Sequence, residues 1–209
     1  MLVTKKNGST RFCVDYRKLN EVTKKDSYQL PRTDDTLTTL SGSAWFSTLD
    51  LKSGYWQVGI HPQDKKKTAF SAESGLYQFT VMPFELCNAP ATFERLMEMV
   101  LVGLTWTTCL VYLDDIMVMR KTFEAHLTNL KKVFSRMKKA NLKLNPKKCL
   151  LFQKDVEFLG HTILATGIKT TETKISAIRD WPRPRDKHEV RSFSRFSTGL
   201  LILLLLCTG

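Results

Sequence analysis

Two apolar runs, Cys109-Leu110-Val111-Tyr112 and Ile116-Met117-Val118-Met119, are separated only by Leu113-Asp114-Asp115. Runs of that length read as strands, and strands joined so tightly must pair as a hairpin with the carboxylates at its tip. Adjacent carboxylates are electrostatically awkward there, because like charges raise one another's pKa unless a cation intervenes. Magnesium is a common solution, a hard ion that takes a few carboxylates together with phosphate oxygens. Asp50, expected at the end of a buried strand over Ala44–Leu49, completes such a site if the sheet sets that strand beside the hairpin. Two ions ~3.5–4 Å apart activate an attacking oxygen and stabilise a leaving one in phosphoryl transfer. Taken alone, Asp114-Asp115 fits an exposed turn better, since Asp is a favoured turn residue.

The rest of the chain alternates strands and helices without a βαβ rhythm, which predicts an α+β fold with a mainly antiparallel sheet. Asn7-Gly8 signals a hairpin whose returning strand runs over Arg11–Tyr16. Asp34 and Asp35 suit the N-terminus of a short helix reaching Leu40. Further strands are expected over Tyr55–Ile60, Thr68–Phe70 and Tyr77–Val81. Pro90 suits a first helical turn, and Phe93, Leu96, Met97, Val100 and Leu101 follow at helical spacing. Thr122 can cap a helix reaching about Ala140, with Asn141 as its stop. Short strands near Cys149–Phe152 and Val156–Leu159 follow, and Asp186 with Glu189 has capping-box spacing for a last helix.

Composition narrows the partner. Of 209 residues, 43% are apolar and 25% charged, which describes a globular chain, and Lys+Arg exceed Asp+Glu by 32 to 20, a net +12. That surplus suits a polyanion, because basic side chains that neutralise phosphates release counterions; a membrane surface or plain solubility would account for it too. From Lys131 to Lys148 every charged residue is basic. Such a run is usually a solvated face, and beside a nucleic-acid channel it would contact phosphate. The five cysteines have no zinc-ligand spacing and read as reduced intracellular thiols. The apolar run Leu200–Cys207 is too short for a membrane helix, which needs ~20 such residues.

Tyr112-Leu113-Asp114-Asp115 resembles the Y-x-D-D box of reverse transcriptases, and Leu49-Asp50-Leu51-Lys52-Ser53-Gly54-Tyr55 resembles their first acidic motif. The segment from Arg11 to Asn20 is similar to their fingers, and Met82-Pro83-Phe84-Glu85-Leu86-Cys87-Asn88-Ala89-Pro90 and Phe158-Leu159-Gly160-His161 follow in the family's order. The spelling is closest to the Pol polyproteins of gypsy-class LTR retrotransposons, from about Val3 to Phe193. This resemblance implies a right-hand polymerase fingers–palm whose antiparallel palm sheet is flanked by helices. Its function would be RNA-directed DNA polymerisation, adding deoxynucleotides to a primer 3′-hydroxyl on an RNA or DNA template.

In that reading Asp50, Asp114 and Asp115 bind two Mg2+ ions, with Mn2+ as a substitute and the Leu51 carbonyl as a further ligand. Lys5 or Lys6 and Arg11 grip the deoxynucleoside triphosphate, and Tyr55 stacks under the sugar as a gate against a 2′-hydroxyl. Phe84 and Asn88-Ala89-Pro90 line the nucleotide and template side, and Phe158, Leu159 and Gly160 form a primer grip. Taken singly, Tyr55 also fits a core tyrosine, the Lys5–Arg11 segment a solvated basic hairpin, and Phe158–Gly160 an ordinary turn. The family's life cycle places such a chain in the cytoplasm or nucleus, neither secreted nor in a membrane.

Departures from the pattern sustain a second reading. Glu85 stands where the family has glycine, bringing a side chain and a negative charge close to the nucleotide pocket, and Thr10 replaces a common aromatic residue. The chain is expected to begin inside the fingers and to leave the family's course after Phe193, making 1–193 a truncated polymerase core. Residues 194–209 would then be a divergent apolar tail, as from a shifted frame or aberrant splice. A non-catalytic remnant that at most binds nucleic acid therefore competes with the live polymerase.

Overall fold

The computed structural model describes residues 2–4, 8, 10–28, 33–40, 42–158, 161–171, 176, 179–183, 186–187 and 189–191. Its first hairpin joins β1 (Leu2–Thr4) to β2 (Thr10–Phe12), with Val3 opposite Arg11 and Gly8 at φ 77° in the turn. The returning strand stops at Phe12, well short of the expected Tyr16. A helix that the sequence did not announce, α1 (Arg17–Val22), begins instead. Asp15 Oδ1 accepts from the Arg17 N–H at 3.0 Å, turning the chain, and the Tyr16 hydroxyl donates to the Thr68 carbonyl at 3.0 Å.

Next come α2 (Thr33–Leu40) and β3 (Trp45–Asp50), followed by a two-stranded ribbon of β4 (Phe70–Ala72) and β5 (Gly75–Tyr77). Helix α3 (Ala89–Val100) carries its proline in the first turn, as expected. The central hairpin pairs β6 (Cys109–Tyr112) with β7 (Asp115–Arg120). Helix α4 (Phe123–Lys139) is capped by Thr122, whose hydroxyl accepts from the Ala125 N–H at 3.3 Å, and Asn141 at φ 54° ends it. Strands β8 (Leu150–Gln153), β9 (Asp155–Phe158), β10 (His161–Leu164) and β11 (Gly167–Thr170) complete the named elements. At the far end, Asp186 Oδ1 accepts from the Glu189 N–H at 2.8 Å, one half of the expected capping box.

Every named strand pair is antiparallel, and the central sheet has the order β6-β7-β3-β8. Side chains alternate across it with the period of two that a strand imposes. Cys109, Val111, Ile116, Val118 and Leu49 face the cluster built with Phe93 and Met97 of α3 and Leu130, Val133 and Met137 of α4. Leu110, Met117, Met119 and Phe46 face the other cluster, with Leu40, Val156, Phe158 and Ile163. The strands read as unbroken apolar runs because both sheet faces are covered. Burying a side chain such as Phe46 of β3 or Phe93 of α3 is worth ~1.5–3 kcal/mol, so much of the described core is built on the two faces of this sheet.

Three expected strands are corrected. Residues Gly54–Gln57 form a 3-10 turn, not the start of a strand over Tyr55–Ile60, because Ser53 adopts φ 52° and the Trp56 N–H closes on the Ser53 carbonyl. Gly59 only bridges Val81, so Tyr77–Val81 is a strand no further than Tyr77. Lys65–Thr68 is a second 3-10 turn, placing the strand at Phe70–Ala72 instead of Thr68–Phe70.

Candidate active site at one end of the central sheet

Antiparallel register decides where the carboxylates fall. In the β3–β7 ladder Asp50 lies directly opposite Asp115, and in the β6–β7 ladder Tyr112 lies opposite the same Asp115. Leu113 and Asp114 are thus the two loop residues of a minimal hairpin. Leu113 has φ 54°, the positive angle such loops need at their first position, which costs a leucine ~1–2 kcal/mol. The loop is held from beneath: the Leu113 N–H donates to Glu94 Oε2 at 2.8 Å. Glu94 projects from α3 with no exposed surface, its Oε1 has no hydrogen-bond partner, and burial pushes its carboxyl above the usual range.

Asp114 lies against the turn after β3. A Cβ at Gly54 would sit 3.0 Å from Asp114 Oδ1 and 2.8 Å from Phe93 Cζ, so only glycine permits this approach. On the Asp50 side, the Lys148 ammonium donates to Asp50 Oδ2 at 2.7 Å, while Asp50 Oδ1 is buried without a hydrogen-bond partner. Asp115 is exposed as a residue, yet the packing around its carboxyl raises that group above its ordinary range, the Asp50 charge adds to this, and Lys148 opposes both. Leu51 follows Asp50 as a buried residue bridged to Leu144. Among the described residues, no three His, Cys, Asp or Glu side chains have closed to an arrangement that could hold a metal ion. The aspartates share one sheet end, with Asp114 drawn towards Gly54 and Asp50 towards Lys148.

An aromatic shelf flanks the carboxylates. The half-buried Tyr55 ring lies 5.3 Å from Phe93, edge to face, and 5.5 Å from Phe84, which is also 5.5 Å from Trp56. Burial, with the Asp114 and Glu94 charges after it, pushes the Tyr55 phenol up to about 12, so it remains a neutral hydroxyl. The loop beyond Phe84 is tied to α1 by one side chain. Asn20 donates through Nδ2 to the Glu85 carbonyl at 2.8 Å and accepts the Cys87 N–H through Oδ1 at 2.9 Å. Asn88 repeats the device, donating to the Lys24 carbonyl and accepting the Asp26 N–H. Glu85 itself has φ 75°, which explains why glycine is expected there.

Other expected site residues fall elsewhere. Lys5, Lys6, Leu159 and Gly160 lie outside the described residues, as does the tail from 192 onwards; Arg11 pairs with Val3 in the first hairpin, its side chain likewise outside. The Phe158 ring is packed into the core at 4% exposure, so it offers a ligand no ring surface. Conversely, Glu94, Lys148 as the partner of Asp50, and Asn20 were not singled out for these roles from sequence. Glu94 left a faint trace, an acid one residue from Phe93 at the margin of an apolar stripe.

The relationships of the chain agree with this geometry. Residues 3–163 match the family model described as reverse transcriptase (RNA-dependent DNA polymerase). The chain is 43% identical to the retrovirus-related Pol polyprotein from transposon 297 of Drosophila melanogaster, over 88% of this chain and 17% of that one. It is 34% identical to the transposon Tf2-3 polyprotein of Schizosaccharomyces pombe, over 92% of this chain and 14% of that one. The chain therefore spans less than a fifth of these relatives. In structure it resembles a foamy viral protease-reverse transcriptase solved with double-stranded DNA, at a TM-score of 0.83 and 30% identity, covering 93% of this chain and 34% of that one. The same viral protein solved with an RNA/DNA hybrid gives a TM-score of 0.77 at 30% identity, over 93% and 26%. By sequence and by fold, this chain belongs to the reverse transcriptase family.

Proposed function

We propose that this chain is the catalytic core of an RNA-directed DNA polymerase in which Asp50, Asp114 and Asp115 hold two Mg2+ ions, or Mn2+ in their place. The observation that carries the reading is the register placing Asp50 opposite Asp115, with Asp114 in the adjoining two-residue loop. The donor set fits a hard divalent cation: carboxylate oxygens, one of them buried on Asp50 without a partner, beside an Asp115 whose charge is disfavoured until a cation offsets it. When bound, the metals supply charge neutralisation for an in-line phosphoryl transfer.

The chain's own residues do the positioning. The β3–β7 ladder fixes the Asp50–Asp115 spacing, and Glu94 fixes the hairpin loop. Tyr55 and Phe84 present a wall for a deoxynucleotide sugar and base, which is where a 2′-hydroxyl would be excluded. Lys5, Lys6 and Arg11 are proposed for the triphosphate, and the Leu159–Gly160 backbone for the primer. The exposed faces of Lys131, Lys132, Arg136, Lys138 and Lys139 on α4 suit the template–primer backbone, a contact that salt would weaken. The nucleic acids bound by the foamy viral relatives support that partner. An intracellular setting, cytoplasmic or nuclear, follows from the same reading.

Magnesium-dependent primer extension on an RNA template tests it, with the Asp114→Asn/Asp115→Asn double variant as control. Extension by the parent alone supports the reading, and equal extension by both overturns the aspartate assignment. The second reading, a remnant that binds nucleic acid without extending it, is favoured by Glu85 at φ 75°, where the family has glycine. Salt-sensitive binding without extension, even after Glu85→Gly, would establish it.

A further inference from the structure

We propose that Lys148 is a displaceable counter-cation of Asp50 that competes with divalent metal for this carboxylate and so sets how readily the site loads. The proposal rests on the metal-binding reading above. Its geometry is built into the backbone. The Asn145 N–H donates to the Asp50 carbonyl at 2.8 Å, and the Lys148 N–H donates to the Asn145 carbonyl at 3.0 Å. The Lys52 N–H donates to the Lys143 carbonyl, and Leu51 bridges Leu144, so the whole turn is laced to the end of β3. That lacing aims the ammonium of Lys148 back at the side chain of the residue whose carbonyl anchors the turn, with Nζ 2.7 Å from Asp50 Oδ2.

The two partners differ in a way that suits exchange. The Asp50 side chain is 18% exposed and the Lys148 side chain 64%, so the anion is fixed and the cation can swing into water. A lysine on a flexible stem gives up such a contact at small cost. An ammonium and a divalent ion on one carboxylate repel each other, and Asp115 feels Lys148 as well. Removing the lysine charge therefore strengthens metal binding, and its exposure keeps the gain to about three- to tenfold.

The test uses the full chain and Mn2+ alone, with affinity read by electron paramagnetic resonance of the free ion and by calorimetry. Lys148→Met is expected to bind Mn2+ about three- to tenfold more tightly than the parent. Lys148→Arg, which keeps the charge, stays near the parent. Lys148→Gln serves as a second neutral variant, and thermal melts in chelator check that each protein is folded. Binding by the parent that an Asp50→Asn/Asp115→Asn variant abolishes, with no gain or a loss in Lys148→Met, overturns the proposal and leaves the metal site standing. If the parent binds no better than the double aspartate variant, the metal site falls and the proposal falls with it.

Discussion

Ser47 and Asp50 stand on the same strand, and the fold treats them in opposite ways. Ser47 is wholly buried and fully engaged: its hydroxyl accepts the Phe152 N–H at 3.0 Å and lies 2.7 Å from His126 Nε2. Burial holds the His126 imidazole below its usual pKa, hence neutral, so Nε2 can accept the serine proton. This polar bridge joins β3, α4 and β8 where the β3–β8 register shifts. Asp50, at the strand's end, keeps one buried oxygen without a partner and shares the other with an exposed lysine. Buried polar groups in a native fold are normally satisfied, and those left over call for a reason. In the middle of β3 polarity ties strand to helix; at its end, in the reading proposed above, the partnerless oxygen of Asp50 is a ligand to metal.

Substitution should separate the two ends cleanly. Asp115→Asn should lower extension by at least ~10²-fold, the scale for removing a group that stabilises transferring charge, without loss of stability. Asp115 is exposed, so solvent keeps the effect small, but its raised pKa fixes the sign: stability falls as pH rises through that pKa. In chelator above neutral pH the variant should therefore melt at or above the parent, and a clear fall in melting temperature would break the contrast. Ser47→Ala should do the reverse. It strands the Phe152 N–H and the imidazole, at about 1–3 kcal/mol in urea unfolding, and leaves extension unchanged at temperatures where the protein is folded. Loss of extension out of proportion to stability would show that the bridge also serves the site.

How much of this could be read from the residues alone follows the range of the interactions. Helices α3 and α4 were legible because Phe93 to Leu101 and Thr122 to Asn141 carry period, cap and stop within the segment itself. The β6–β7 hairpin was legible because its loop is so short. By contrast, α1 has six residues and none buried, so it left no apolar stripe to find. The Tyr55–Ile60 segment alternates like a strand, yet a left-handed Ser53 and the ring contact with Phe93 override the pattern. The same holds at the site. The aspartates announce themselves as motifs, whereas Glu94 reaches Leu113 across 19 residues and Lys148 reaches Asp50 across 98.

Glu94 sharpens the contrast, since it belongs to both classes at once: one oxygen holds the Leu113 N–H and the other is orphaned. Its folded pKa is raised by burial, so its contribution to stability is present at low pH and lost as pH rises through that pKa. Glu94→Gln keeps an acceptor for Leu113 and removes the titration. In chelator the variant should match the parent near pH 4 and melt higher near pH 8, whereas Glu94→Ala should be less stable at both. Parallel pH profiles for parent and Glu94→Gln would mean that Glu94 titrates alike in the folded and unfolded chain, so that its burial does not shift it.

The smallest expected effect concerns Glu85, where fold and site make separate claims on one residue. Its φ of 75° is fixed from outside, because Asn20 holds both the Glu85 carbonyl and the Cys87 N–H. A side chain in that region costs ~1–2 kcal/mol, while glycine gives back ~0.4–1 kcal/mol through the freer unfolded chain. Glu85→Gly should therefore stabilise the protein by about 0.5–1 kcal/mol, a rise of about 1–4 °C in melting temperature. Glu85→Ala keeps the Cβ and removes only the charge, so it should gain nothing in stability. Nucleotide KM then divides the two causes: improvement in both variants assigns the defect to the carboxylate, and improvement in Glu85→Gly alone assigns it to the strained loop behind Phe84.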